Sequence, residues 1–252
     1  GTAKFTADLP LGFSYDVKEV QAPEGYVRNT DDVYTFAFSY TNDKEAKQTF
    51  KHTFKNERVT AKISLQKQDK ETKKAVPQGD ATLEKAVYGL YAREDIVHPD
   101  GVTGVVYKAG EQVATLTTDK NGQASVDGLY LGNYYVKEIT PPTGYLADEE
   151  EHDLVCNYEG DLVAEVKRDC LSLEQVMKQP FEIIKAANNG KTDADLLKGA
   201  GFTAYLVSSL TVKEDGSYDF DSAKPVVIGE NGATEIFTDE KGYARSIALP
   251  YG

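Results

Sequence analysis

Residues 134–145 read Tyr-Tyr-Val-Lys-Glu-Ile-Thr-Pro-Pro-Thr-Gly-Tyr, and residues 15–26 read Tyr-Asp-Val-Lys-Glu-Val-Gln-Ala-Pro-Glu-Gly-Tyr. The two stretches share tyrosine, valine, lysine, glutamate, proline, glycine and tyrosine in the same order. Each begins with residues of high β-propensity and ends in a turn that contains proline and glycine, which is typical of a strand followed by a turn. A pattern this specific that occurs twice indicates an internal repeat.

Other stretches recur at a similar spacing of about 120 residues, which indicates how the chain is divided. Residues 118–124 (Thr-Asp-Lys-Asn-Gly-Gln-Ala) match 238–244 (Thr-Asp-Glu-Lys-Gly-Tyr-Ala), and residues 63–67 (Ile-Ser-Leu-Gln-Lys) match 181–185 (Phe-Glu-Ile-Ile-Lys). So long a period is typical of separate domains in tandem and not of a solenoid. We predict the C-terminal part of one domain at 1–60, a complete domain at 61–178 and the N-terminal part of a third at 179–252.

The composition excludes several classes of function. Of the 252 residues, 40% are hydrophobic and 27% are charged, which is ordinary for a soluble protein with a core. The net charge of −13 repels the phosphates of nucleic acids and anionic lipids. The sequence has no apolar run of the roughly 18 residues that a membrane helix needs, and no catalytic, metal-binding or cofactor-binding motif. We expect no enzymatic turnover, no metal or cofactor, no nucleic-acid partner and no membrane insertion by this segment.

The two cysteines, Cys156 and Cys170, are too few for a disulfide framework. We predict that they flank a hairpin turning at 157–161, where the strand register holds them too far apart for a disulfide. Two buried free thiols are therefore expected.

Strand signals run along the whole chain. Residues 33–40, 112–118 and 132–139 alternate or are rich in β-forming residues, and glycine-containing turns bound them. Short strands with such turns every ~8–12 residues predict an antiparallel β-sandwich. A short helical turn is expected at most at 171–178 or 194–198.

Charged residues occupy inward positions of these predicted strands. Residues two apart on a strand share a face, so Lys67 lies in phase with Ile63 and Leu65, and Glu138 lies in phase with Val136. By the same count Lys185 and Glu19 point inward in the neighbouring repeats. A buried, unpaired charge costs several kcal/mol, so such groups must pair, lose their charge or react. A buried ion pair, or lysines that extend to the strand ends, would account for the phase alone.

The order of these elements resembles the B-type repeat of collagen adhesins (Cna-B), also called the prealbumin-like, SpaA-type pilin domain of Gram-positive surface adhesins and pilins. The resemblance rests on the strand ending in Lys67, the run at 86–91 and the repeated Glu-x-x-x-Pro-x-Gly-Tyr element. It implies an all-β chain of tandem immunoglobulin-like or prealbumin-like sandwiches. It also implies that the lysine of the first strand forms an isopeptide bond with an Asn or Asp of the last strand, assisted by the inward glutamate.

In the first and third repeats, only part of the set of lysine, assisting glutamate and acceptor that the resemblance implies lies within this sequence. In the first repeat Glu19 is the assisting acid, and Asn56, in phase with Phe54, is the acceptor. Its lysine is expected upstream of Gly1. In the third repeat only Lys185 is present, and its partners are expected beyond Gly252.

In the middle repeat Lys67 and Glu138 match the pattern, but the acceptor departs from it. Counting back from Lys185 by the separation of Asn56 and Lys67 leads to Glu174, which is not an asparagine. Asp169 is the nearest residue of the right type, and it faces the core only if a bulge interrupts the strand. Asp169 is therefore the predicted acceptor.

The resemblance implies a structural stalk segment of an extracellular, cell-wall-attached adhesin or pilin-like protein, with its signal peptide and anchor outside this segment. Its partners would be neighbouring repeats of the same chain, and host extracellular matrix or other pilin subunits. The alternative is an adhesin module that binds host matrix protein or glycan through the insert at 95–108, because loops on rigid scaffolds carry function.

Overall fold

The structure, a computed structural model, describes residues 2–4, 9–10, 12–40, 48–188 and 195–252. The regular structure in these ranges is almost entirely strand. The strands are β1 (Ser14–Lys18), β2 (Val33–Ala37), β3 (Thr60–Asp69), β4 (Val87–Ala92), β5 (Ile96–Val97), β6 (Val105–Tyr107), β7 (Gln112–Thr117), β8 (Gln123–Leu129), β9 (Gly132–Thr140), β10 (Glu151–Cys156), β11 (Glu165–Glu174), β12 (Lys178–Gln179), β13 (Glu182–Ile184), β14 (Gly201–Phe202), β15 (Thr211–Val212), β16 (Tyr218–Asp219), β17 (Ile236–Phe237), β18 (Tyr243–Arg245) and β19 (Leu249–Pro250). Two 3-10 turns, Val207–Ser209 and Glu230–Gly232, are the helical elements of the described ranges. Neither has the length and apolar character needed to cross a membrane.

Seven of the strands from β3 to β11 build two sheets, which we call the central sandwich, and β5 and β6 form a separate pair. One sheet has the order β10-β9-β4-β7 and the other the order β11-β3-β8. The first and last of these strands, β3 and β11, are neighbours and run parallel, whereas the other strand pairs of the two sheets are antiparallel. The chain therefore enters the central sandwich along β3 and leaves it along β11 in the same direction.

The alternation of side chains explains why β3 occupies the middle of its sheet. Every second residue from Ala61 to Asp69 is buried, and the residues between them are half-buried. The apolar members of this set pack with residues of the facing sheet, among them Tyr88, Leu90 and Val136, in one continuous core. Burial of this apolar surface is the main force that holds the two sheets together.

The strand predictions for residues 33–40, 112–118 and 132–139 are confirmed by β2, β7 and β9. The helical turn expected at 171–178 is wrong, because Leu171–Glu174 continues β11. The alternative turn at 194–198 begins outside the described residues, and Leu196 forms a β-bridge with Ala186.

The two thiols are free and buried, as expected. The hairpin predicted between them is wrong: β10 pairs with β9, so Cys156 lies opposite Gly132. Cys170 belongs to β11 in the other sheet.

Hydrogen bonds connect the central sandwich to the chain on both sides. On the entry side Arg28 N donates to Asp161 O at 2.7 Å and Val59 N donates to Gly25 O at 2.9 Å. On the exit side Tyr251 N donates to Met177 O at 2.9 Å, and Asp80 N donates to Tyr251 O at 2.7 Å. The division into domains at 60/61 and 178/179 stays a prediction.

The insert at 95–108 contains β5 and β6, which pair with each other. Its Pro99 lies so close to Gly25 that a Cβ atom on this glycine would sit 2.6 Å from the proline ring. The insert therefore packs against the segment that precedes the central sandwich. Its predicted role in binding a host ligand stays a prediction.

Candidate functional site

The candidate site lies between the two sheets, near the end of the central sandwich where β11 terminates. Its central residue is Lys67, the eighth residue of β3, whose side chain is completely buried. The residues before it in the same phase, Ile63 and Leu65, are core residues. The predicted inward orientation of Lys67 is confirmed.

Two carboxylates from opposite sheets face the lysine amine. Glu138 of β9 approaches with Oε1 at 3.4 Å from Lys67 Nζ, and Glu174, the last residue of β11, has Oε2 in direct contact with Nζ. The two carboxylate side chains are 1% and 0% exposed. The inward orientation predicted for Glu138 is confirmed, and the site contains a second buried acid.

Two hydroxyl groups hold the other oxygen of Glu174. Tyr88 OH donates to Glu174 Oε1 at 2.5 Å, and Ser172 Oγ donates to the same atom at 3.0 Å. Tyr88 stands opposite Glu138 on the neighbouring strand, and Ser172 stands opposite Lys67. Strand register therefore brings all five polar side chains of the site to one place.

The shell around these groups is closed and mostly aromatic. Lys67 Nζ lies 5.4 Å from the centre of the Tyr145 ring and 5.9 Å from that of Tyr88. Tyr145 is fully buried and donates its hydroxyl to Asp69 Oδ2 at 3.1 Å. The preceding Gly144 has φ +86°, a conformation that favours glycine, so the repeated Pro-x-Gly-Tyr turn is what carries Tyr145 into the site.

Burial changes the acid–base behaviour of the lysine. Desolvation lowers the pKa of Lys67 to about 8, although the nearby charge of Glu138 acts in the opposite direction. A lowered pKa increases the fraction of neutral amine, which is the nucleophilic form. Burial also raises the pKa of Tyr88, so its hydroxyl stays a hydrogen-bond donor. The site therefore places an activated amine against a carboxyl group whose far oxygen is hydrogen-bonded.

Asp169, the predicted acceptor, is not brought to this site. It lies on β11 opposite Ser64 and is exposed, while Val166, Cys170 and Ser172 of the same strand are buried. No register shift interrupts the pairing of β11 with β3. The bulge that would turn Asp169 inward is therefore absent from this strand pair, and the assignment of Asp169 needs correction.

The residues predicted in the first repeat do meet. Asn56 Nδ2 donates to Glu19 Oε2 at 2.6 Å and to the carbonyl oxygen of Val27 at 2.9 Å. Both Glu19 and Asn56 are half-buried. The structure brings the predicted acid and acceptor together, and their role in a cross-link stays a prediction.

Lys185 is placed differently from its counterpart Lys67. It follows β13 and is exposed, although its backbone N–H donates to Gly242 O at 2.7 Å. In the described residues β13 pairs with β18 in a sheet of two strands. The predicted inward orientation of Lys185 is therefore not found in this structure.

Sequence reasoning missed three residues of the site. Counting from Lys185 leads to Glu174, but this residue is not an asparagine. Tyr88 lies within the run at 86–91 but has no predicted role, and Ser172 carries no motif of its own. The available signal was phase, because Ser172 and Glu174 continue the inward series of Val166 and Cys170. Among the described residues no cluster of three or more His, Cys, Asp or Glu has the arrangement of a metal site.

Comparison with known proteins agrees with this architecture. Residues 61–169 match the family described as SpaA, a prealbumin-like fold domain. The predicted resemblance is thereby confirmed for the central sandwich, and the matched range includes Lys67, Tyr88 and Glu138 but ends before Ser172 and Glu174. No curated protein matches the chain.

Three solved structures that resemble the chain come from Bacillus and streptococcal species. The Bacillus anthracis TIE protein has 25% identity and a TM-score of 0.58, over 97% of this chain and 35% of that protein. A streptococcal ancillary pilin has 20% identity and a TM-score of 0.32, over 97% of this chain and 65% of the pilin. BcpA, the major pilin subunit of Bacillus cereus, has 17% identity and a TM-score of 0.31, over 77% and 59%. The chain thus spans about a third of the TIE protein and less than two thirds of either pilin.

Proposed function

We propose that this chain is a structural stalk segment of a pilin-like surface protein, in which Lys67 forms a covalent bond with a carboxyl group of β11. The observation that carries the proposal is the contact of the buried Lys67 amine with the carboxylate of Glu174, between the first and last strands of the central sandwich. The SpaA-type fold of residues 61–169 supports it.

The energetics favour a reaction over a permanent ion pair. Three ionisable groups, Lys67, Glu138 and Glu174, share a site with side-chain exposures of 0 to 1%. Desolvation of charged groups costs several kcal/mol for each ion, and pairing compensates for only part of it. An amide bond removes one positive and one negative charge from the core. The fixed approach of the reacting groups also supplies the effective concentration that free amines and carboxyls lack.

The position of the bond suits a protein that is pulled from both ends. Because β3 and β11 are neighbouring parallel strands, tension that enters at Thr60 and leaves at Glu174 shears them along their length. A cross-link between Lys67 and the end of β11 would carry this tension through the covalent bond. Residues 68–173 would then bear none of it.

The proposed setting is extracellular and attached to the cell wall, with adjacent repeats and other pilin subunits as partners. The family of the central sandwich and the pilins among the similar structures support this setting. The repeated motifs at 15–26 and 134–145 support a tandem arrangement of related domains.

Single-molecule force spectroscopy on the full chain, held at its two termini, tests the proposal. We compare the wild type with Lys67→Met, which keeps a long side chain but has no amine, and with Lys62→Ala on the same strand. Lys62 is half-buried on the alternate face of β3, so this matched control should keep the bond. Unfolding of the central sandwich should release about 350 Å of extra chain in Lys67→Met, because roughly 100 residues become extensible.

The same extension in the wild type and in Lys62→Ala would contradict a covalent bond between β3 and β11. If the extension occurs in Lys67→Met but not in the wild type or in Lys62→Ala, the mechanical role of Lys67 is established.

A further inference from the structure

We infer that Glu174 is the group that Lys67 attacks, and that the hydroxyls of Tyr88 and Ser172 stabilise the negative charge that develops on its Oε1. The inference rests on the proposed function and names the acceptor and the stabilising residues of that site. The bond would be a γ-glutamyl-lysine amide, in place of the bond to Asn or Asp that the sequence motif implies.

The contacts of the two oxygens of Glu174 support this assignment. Oε1 accepts hydrogen bonds from Tyr88 and Ser172, whereas Oε2 contacts Lys67 Nζ and has no further donor among the described residues. Oε1 is therefore placed to hold a negative charge, and Oε2 is placed to depart as the leaving group. Hydroxyl donors fixed in a dry site stabilise an oxyanion without reorganisation at the moment of reaction.

The second acid, Glu138, is placed to carry protons. Its Oε1 lies 3.4 Å from Lys67 Nζ, and its Oε2 accepts the backbone N–H of Asp148 at 2.8 Å. Glu138 therefore contacts the nucleophile with one oxygen while the backbone holds the other. A carboxylate at this position can accept a proton from the amine and return it to a leaving group.

The reaction is a condensation without any oxidant or co-reactant. Proton transfer within the pair gives the neutral amine of Lys67 and Glu174 protonated on Oε2. The amine then attacks Cδ of Glu174, so the Nζ–Cδ bond forms, a negative charge develops on Oε1 and a positive charge develops on Nζ. One proton of Nζ passes to Glu138. That proton then joins the Oε2 hydroxyl as the Cδ–Oε2 bond breaks, and one water leaves. Glu138 ends in the state in which it began, and the product is a neutral amide.

The other carbonyl groups near Lys67 are less suited to attack. Glu138 is farther from Nζ than Glu174, and a backbone N–H is the donor to its distal oxygen. Gln175 is directed outward, where its side-chain amide donates to Glu71 Oε1 at 2.7 Å. Asp169 is exposed on the opposite face of β11.

Intact-mass spectrometry of the full chain, followed by tandem fragmentation, tests the acceptor. The wild type should lose one water, with the bond located between Lys67 and Glu174. Glu174→Gln should lose one ammonia and reach the same final mass as the wild type, because both reactions produce the same amide. Glu174→Ala should keep the mass of the linear chain, and the matched control Asp169→Ala should still lose one water.

The rate of bond formation tests the two hydroxyls. In cell-free synthesis sampled over time, Tyr88→Phe and Ser172→Ala should form the same bond more slowly, by on the order of 10²-fold for the loss of one oxyanion donor. Circular dichroism should show the same fold for these variants and for Glu174→Gln. Unchanged rates in both hydroxyl variants would overturn their assigned role.

The outcomes separate this inference from the proposed function. A bond from Lys67 to Glu138, Gln175 or Asp169 would overturn Glu174 as the acceptor. A bond to Asp169 would preserve a cross-link to β11, and a bond to Gln175 would preserve one to the residue that directly follows β11. A linear wild-type chain would overturn both the acceptor and the cross-link.

Discussion

The central site and the Glu19–Asn56 pair contain the same glutamate of the same repeated motif, in different surroundings. Glu138 faces a completely buried amine, whereas Glu19 is half-buried and accepts a hydrogen bond from the amide of Asn56. Counted along the repeat, Glu174 in the central sandwich corresponds to Asn56 in the preceding repeat. The motif therefore determines the position of the carboxylate on its strand. The neighbouring strands determine its solvent exposure and which group it contacts.

The largest difference between the two sites should follow from removal of this glutamate. Glu138→Ala should abolish the cross-link, because no group remains to move the proton. The free energy of unfolding should fall by about 4–5 kcal/mol, the effect expected for opening a covalent loop of roughly 100 residues. Denaturant unfolding combined with intact mass measures both effects.

Glu19→Ala is the matched substitution in the N-terminal repeat. It should leave the mass and the unfolding of the central sandwich unchanged, since Glu19 does not contact that core. If Glu138→Ala and Glu19→Ala lower the free energy of unfolding equally, a covalent bond does not contribute to the stability of the central sandwich.

A pH titration should distinguish the reacted from the unreacted central site. In the folded native chain burial lowers the pKa of the free Lys67 amine to about 8, below the ordinary value near 10.4 of the unfolded chain. Glu174→Ala should keep this amine buried and unreacted. Between these pH values the unfolded chain binds more protons, so the free energy of unfolding should rise with pH by up to about 3 kcal/mol. In the cross-linked wild type Lys67 is an amide and contributes no such rise.

Urea unfolding of both chains between pH 7 and 10.5 measures the effect. A rise of the same size in the wild type would indicate that its Lys67 amine is free.

Tyr145 and Tyr26, the last residues of the two copies of the repeated motif, should differ less in their contribution to the free energy of unfolding. Tyr145→Phe removes a buried hydrogen bond to Asp69 and should lower the free energy of unfolding by about 1–3 kcal/mol. Tyr26→Phe should cost less, because Tyr26 is only half-buried. Thermal unfolding of the two variants tests the order, and a larger loss for Tyr26→Phe would reverse it.

The smallest effect is expected for Asn56→Ala. This substitution removes the donor that binds Glu19 and Val27, in a region that is partly exposed. We expect a loss of about 1 kcal/mol, the usual net value of a hydrogen bond in such a setting. Hydrogen exchange at residues 14–37 would detect it, and unchanged protection there would show that the pair does not stabilise the hairpin.

The sequence predicted the inward residues best where strands are long and alternate strictly. Lys67 and Glu138 follow directly from phase in β3 and β9, since a shift by one residue would expose the whole apolar face. The same reasoning failed for Lys185, because β13 has three residues and one partner strand among those described.

Position in the repeat leads to Glu174, but the resemblance implies Asn or Asp as the acceptor, so the sequence favours Asp169 instead. The sequence also predicts a helical turn at 171–178, where the structure continues β11 to Glu174. Ser172 and Tyr88 enter the site only through cross-strand register, which places them opposite Lys67 and Glu138. Register between distant strands depends on tertiary packing, which a single strand pattern does not contain.

The parallel arrangement of β3 and β11 has a consequence for how such a domain can evolve. With the proposed bond in place, tension passes along β3 to Lys67 and through the bond to Glu174. The rest of the sandwich, residues 68–173, carries no tension. Loops and strands between residues 68 and 173, including the insert at 95–108, can then lengthen or change in sequence without weakening the covalent connection through Lys67 and Glu174. Mechanical strength and surface variation would be separated within one small fold.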